Sequence, residues 1–95
     1  MADTALARVA AIEAAMLEAV AADDAAQMAQ CGQDRDTLIR EVAPGLEPTE
    51  LQELARQDAV FRIKVTALRD RVAAEIDGLR LGRRASRAYA ETAQI

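Results

Sequence analysis

The sequence predicts an all-α fold, and three observations carry that prediction. Alanine supplies 23 of the 95 residues and aromatics only 2 %, so helices of high intrinsic propensity can pack closely without bulky interior side chains. The only two prolines, Pro44 and Pro48, sit together mid-chain and mark one break. Elsewhere apolar residues recur at spacings of three and four, the period of an amphipathic helix. The expected architecture is an antiparallel three- or four-helix bundle with a long C-terminal helix, in a single helical domain over residues 1–95.

The first helix is expected over about 4–22. Leu6, Val9, Ile12, Met16, Leu17 and Val20 draw one apolar stripe, and Asp3 or Thr4 is available to cap its start. Asp23 and Asp24 then offer an N-cap for a second helix over about 24–43, with Met28, Cys31, Leu38, Ile39 and Val42 as its stripe. Arg35 interrupts that stripe, and Gly32 weakens the helix by about 1 kcal/mol relative to alanine. Periodicity alone leaves open whether the chain turns at Asp23 or continues as one bent helix.

Residues 43–49 read as a loop, because proline disfavours helical geometry in the residue before it and Gly45 supplies a turn between Pro44 and Pro48. Thr49 and Gln52 have the spacing of a capping box and predict a helix starting at residue 49. From there Leu51, Leu54, Phe61, Val65, Leu68, Val72, Ile76 and Leu79 hold a near-heptad seam, with Asp58 standing where an apolar residue is expected. Val60 and Ile63 lie off the seam and widen the apolar surface. The predicted helices here are 49–78 and 80–91. Gly78 and Gly82 either hinge the segment or are tolerated within one helix. Unbroken to Tyr89, the helix is about 60 Å long, more than the two preceding helices can cover.

Composition narrows the function classes. There is no histidine and a single cysteine, Cys31, so an intrachain disulfide, a Cys/His nucleophile and the usual His/Cys metal sites are excluded. Cys31 on an apolar stripe reads as a small buried hydrophobe. No glycine-rich phosphate loop is present, and the carboxylate pairs Asp23/Asp24 and Asp34/Asp36 do not share a helix face. The expectation is a non-enzyme without cofactor or metal. No run approaches the roughly 18 apolar residues of a membrane span and no leader pattern opens the chain, so a cytoplasmic protein without membrane insertion is expected.

The net charge of −4 hides an asymmetry. Residues 1–50 carry ten acidic and three basic side chains, residues 51–95 six acidic and nine basic. Most of these belong to solvated helix faces. Arg80, Arg83, Arg84 and Arg87 form a basic cluster, but an acidic chain without interleaved aromatics beyond Tyr89, and without a helix-turn-helix or zinc signature, argues against nucleic acid. An acidic protein patch, or the negative end of a helix, is the better complement for these arginines.

The run RQDAVFRIKVTALRDRVAAEIDGLRLGRRASRAY, from Arg56 to Tyr89, resembles the C-terminal part of FliT-type flagellar export chaperones, with FlgN-type chaperones the nearest neighbour. The residues that carry the resemblance are Asp58, Arg69, Asp70, Leu79, Gly82, Arg83, Arg84, Ala88 and Tyr89. It implies a type III secretion chaperone that binds the C-terminal helical segment of a filament-cap or hook-associated subunit. Such a chaperone prevents premature assembly and delivers the subunit to the export gate. It also implies a docking role at the export apparatus for Tyr89, beside which Arg83, Arg84 and Arg87 complete the candidate docking set. The candidate client groove is Val60, Phe61, Val65, Leu68, Val72 and Ile76, matched to a helix-in-groove mode of binding; for Leu54, Phe61, Val65 and Leu68 plain core is the preferred reading. The competing reading of the whole chain is a homodimeric coiled-coil module, structural or regulatory.

Overall fold

Asp23 adopts a left-handed backbone, φ 53°, and this one residue turns the first helix back on itself. In the computed structural model, which describes residues 2–93 and side chains over 5–91, α1 spans Ala2–Ala21 and α2 spans Ala25–Val42. The amide of Asp23 donates to the carbonyl of Val20 (3.1 Å) and that of Asp24 to Ala19 (2.9 Å), the paired bonds of a Schellman ending. Asp24 then starts the next helix, its carboxylate accepting from the Gln27 amide at 3.1 Å. The adjacent aspartates thus divide the work: one takes the geometry that most side chains avoid, and the other caps. α1 begins at Ala2, and the side chains of Asp3 and Thr4, expected as its caps, lie outside the described residues.

The predicted loop contains one 3-10 turn, Ala43–Gly45, after which Leu46 packs against the core. α3 then runs from Pro48 to Ala93. Its start corrects the expected Thr49–Gln52 box. The amide of Glu47 donates to Glu50 Oε1 at 3.0 Å and the Leu51 amide donates to the Glu47 carbonyl at 2.9 Å, so Glu47 is the N-cap and Pro48 the first helical residue. Proline suits that position because its fixed φ is helical and its missing N–H would have had no partner there.

Three α-helices and no strand are present among the described residues. Val9, Leu38 and Leu54, one from each helix, are buried together, with Leu6, Ile12, Ile39 and Val42 packed around them. Val20 and Cys31 are buried further along, and α1 contacts both α2 and α3. The interior is small because α1 and α2 supply only about 30 and 27 Å of helix against about 69 Å for α3. The tip of the α1–α2 hairpin, at Val20, Asp23 and Met28, faces Arg69, Val72, Ala73 and Ile76 of α3 across a cleft of ≈ 230 Å³. From Asp77 to Glu91 every residue of α3 is exposed.

The molecule is correspondingly elongated. Its radius of gyration is 19.9 Å and its longest extent 72 Å, whereas a compact chain of this length has a radius near 12 Å. The break expected between residues 78 and 80 is absent: α3 is one continuous helix through Gly78 and Gly82, neither of which has positive φ. The separate helix over 80–91 is the projecting end of α3. Helix propagation is cooperative, so two separated glycines flanked by arginine, leucine and alanine do not stop it.

Candidate functional site

Glu13 is the one buried charged residue among the described residues, 6 % exposed, and it organises a polar cluster where the three helices meet. Arg35 of α2 donates to Glu13 Oε2 from Nε (3.1 Å) and lies against it with Nη2 (3.0 Å). Gln57 of α3 donates to Glu13 Oε1 at 2.9 Å. Arg35 Nη2 also donates to Asp58 Oδ1, and Arg62 donates to Asp58 Oδ2 at 2.9 Å. The Arg35 guanidinium sits 4.9 Å from the centroid of the Phe61 ring, a cation–π contact that also shields it from water.

Taking such charges out of water costs several kcal/mol per ion, so the cluster adds less stability than its contacts suggest, and its main effect is on which helix faces can meet. Burial pushes the Asp58 carboxyl up, but the hydrogen bonds and charges of Arg35 and Arg62 outweigh this and leave it below the ordinary aspartate value. Among the described residues no group of histidine, cysteine or carboxylate side chains is arranged to hold a metal ion.

Beside this cluster α1 and α3 leave an open groove of ≈ 380 Å³. Ala10, Ala14 and Leu17 form one wall and Val60 and Phe61 the other, with Arg56 and Lys64 on the rim. Of the six expected groove residues, Val60 is 45 % exposed while Phe61, Val65, Leu68, Val72 and Ile76 are half-buried. Val72 and Ile76 line a second cleft under the hairpin tip. Leu54, expected as core, is buried; Ile63, off the seam, is 70 % exposed on the outer face.

The expected docking residues are exposed on the projecting end of α3, but the helix does not bring them all together. At about 100° per residue, Arg80, Arg83, Arg84 and Arg87 fall within an arc of about 100°, and Tyr89 stands at least about 120° from each of them. Tyr89, 78 % exposed, shares its side of the helix with Ala85 instead. The arginines continue the face that carries Val72 and Ile76.

The polar cluster was not singled out as a site by sequence, yet two of its members were visible there as anomalies. Arg35 and Asp58 are the residues that interrupt the apolar stripes of α2 and α3. Glu13 occupies a stripe position of α1 too, four residues after Val9 and three before Met16.

Among the described residues no helix is long and apolar enough to cross a membrane. Neither a curated protein nor a solved structure matches the chain significantly. A family model does: the one described as "Flagellar protein FliT" matches residues 3–91, nearly the whole chain and all three helices. The C-terminal resemblance therefore extends through α1 and α2, and the chain belongs to the FliT family of flagellar chaperones.

Proposed function

We propose that this chain binds the C-terminal helical segment of a filament-cap or hook-associated subunit, holds it back from premature assembly, and hands it to the export gate in the cytoplasm. The family supplies the flagellar chaperone role; the observation that carries the specific reading is the open apolar groove between α1 and α3, where Val60 remains exposed beside Phe61. A client helix with apolar residues at i, i+3, i+4 and i+7 fits such a surface, and burying its side chains contributes about 25 cal/mol per Å². Val65, Leu68, Val72 and Ile76 carry the client contact along α3, and Tyr89, at least about 120° around the helix from Arg83, Arg84 and Arg87, serves the docking step. The helices act as an antiparallel bundle that presents the groove, in one domain that performs no catalysis.

A second reading, a homodimeric coiled-coil module, is favoured by the uncovered length of α3, where Leu79 and Leu81 are 65 % and 63 % exposed. Sedimentation with and without a peptide from the C-terminal segment of a filament-cap subunit separates the two. The chaperone reading expects a stoichiometric complex with the peptide. A dimer indifferent to the peptide sinks it.

A further inference from the structure

The seam of α3 changes character at the tip of the α1–α2 hairpin. Val72 and Ile76 are its last apolar members under the hairpin; beyond them the seam's Leu79 stands exposed at the edge of this face, and the face itself continues at three-and-four spacing as Arg80, Arg83 and Arg87, with Arg84 alongside. All four arginines are exposed, and among the described residues none is in an ion pair. Glu91, four residues beyond Arg87, is exposed as well. Four guanidinium groups on one face of an otherwise uncovered helix form a row of about 10 Å along the axis.

We infer that this arginine row is the second half of the client site, and that it selects a client helix whose apolar turns are followed by carboxylates at matching three-and-four spacing. The inference rests on the chaperone reading above and specifies the chemistry of its partner. Three observations favour that occupant. First, the row continues the face of the half-buried stripe at Val72 and Ile76 past the hairpin tip, so a helix laid along that face of α3 meets arginine beyond the tip. Second, the row is unfavourable for self-pairing: two α3 ends packed through this face set like charges against one another, whether parallel in register or antiparallel over the same turns, and such pairs are repulsive. Third, away from the row this end of the helix offers only Leu79, Leu81 and Tyr89 among alanines, glycines and Ser86, too little apolar surface for the bilayer-lying mode of a basic amphipathic helix.

Arginine also fits the role chemically. Its planar fork can engage a carboxylate through two parallel N–H bonds, so the row reads position as well as charge. Each exposed pair contributes little by itself, and the selectivity comes from several pairs in register with an apolar anchor.

The test uses the full chain and synthetic amphipathic helices of about 20 residues, identical in their apolar turns and carrying either four glutamates, four glutamines or four lysines in the following two turns. Isothermal titration at low and moderate salt should show the glutamate peptide binding about ten-fold or more tighter than the glutamine peptide, with the advantage shrinking as salt rises. The variant R83E/R87E, checked for unchanged helicity, should lose that preference and favour the lysine peptide. Equal binding of all three peptides, unaffected by the variant, overturns the arginine inference while leaving the apolar groove intact. No binding of any peptide defeats the groove reading itself. Tighter binding to anionic phosphatidylserine vesicles or to single-stranded RNA than to the glutamate peptide, abolished by R83E/R87E, overturns the assignment in favour of a membrane or nucleic-acid partner.

Discussion

Arg35 Nη2 donates to Asp58 Oδ1 across 23 residues of sequence, joining the two positions at which polar side chains break the apolar stripes of α2 and α3. With Glu13 they make an ionic layer inside the helix junction, flanked by the apolar cluster of Val9, Leu38 and Leu54 and by the groove at Phe61. A layer of this kind constrains register, because sliding any helix by a turn leaves a carboxylate or guanidinium buried without its partner.

Replacing Arg35 by methionine keeps the volume and strands Glu13, whose side chain is 8 % exposed. The expected cost is about 3 kcal/mol, read as a lower urea midpoint at constant slope. Replacing Glu13, Arg35 and Asp58 together by leucine, methionine and leucine should recover most of that loss, since no unpaired charge is left. A triple variant as unstable as the single one would show that the ions contribute more than register.

Asp58 makes stability depend on pH in a defined direction. Its folded-state carboxyl lies below the ordinary aspartate value, so the folded state binds this proton less readily than the unfolded state. The stabilisation is fully present above the unfolded value and is lost as pH falls below about 4 and through the folded value. Urea midpoints of the wild type and of Asp58→Asn should therefore differ most near neutrality and converge in acid. A difference that persists unchanged at pH 3 would contradict the assignment.

Gly78 and Gly82 sit in an exposed helix with nothing near the place a Cβ would occupy. Gly78→Ala and Gly82→Ala should each stabilise the local helix by about 1 kcal/mol. The readout is slower amide exchange over residues 78–91. The global unfolding midpoint should move little, because this end of α3 is outside the packed core. If client delivery needs bending here, the double variant binds its client normally but exports it poorly.

Exposure separates stability from function along α3. Leu54→Ala should cost about 2–4 kcal/mol, since the side chain is 7 % exposed within the three-helix core. Tyr89→Ala should leave helicity and melting temperature within about 0.5 kcal/mol of wild type while weakening docking at the export apparatus, measured by co-purification with export components. Strong destabilisation by Tyr89→Ala would assign the ring to packing.

The long seam of α3, the break at the prolines and the burial of Cys31 were legible because each depends on local spacing or on residue type. The N-cap of α3 lies two residues before Thr49: Thr49 and Gln52 have capping chemistry, but Pro48 before them is itself the first helical residue, with Glu47 as N-cap and the Glu50 carboxylate accepting from its amide. Tyr89 and the arginines could be named from sequence as candidates, but their arrangement around the helix could not be read there. Whether Tyr89 and the arginines share a face depends on the helix running unbroken through two glycines, where the cost of each glycine is comparable to the helix-forming tendency of its neighbours.

By itself the sequence determined an all-α chain with one proline-marked break, a seam too long for the helices before it, and two charged residues at apolar positions. These follow from periodicity and propensity, which act over a few residues. Only the tertiary structure decided that Asp23 turns the chain, that Arg35 meets both Glu13 and Asp58, and that the last turns of α3 project past the hairpin with arginine on one side and Tyr89 on the other. Those outcomes depend on which surfaces meet across many residues of sequence, and a helical period specifies the face a side chain occupies without specifying what lies opposite it.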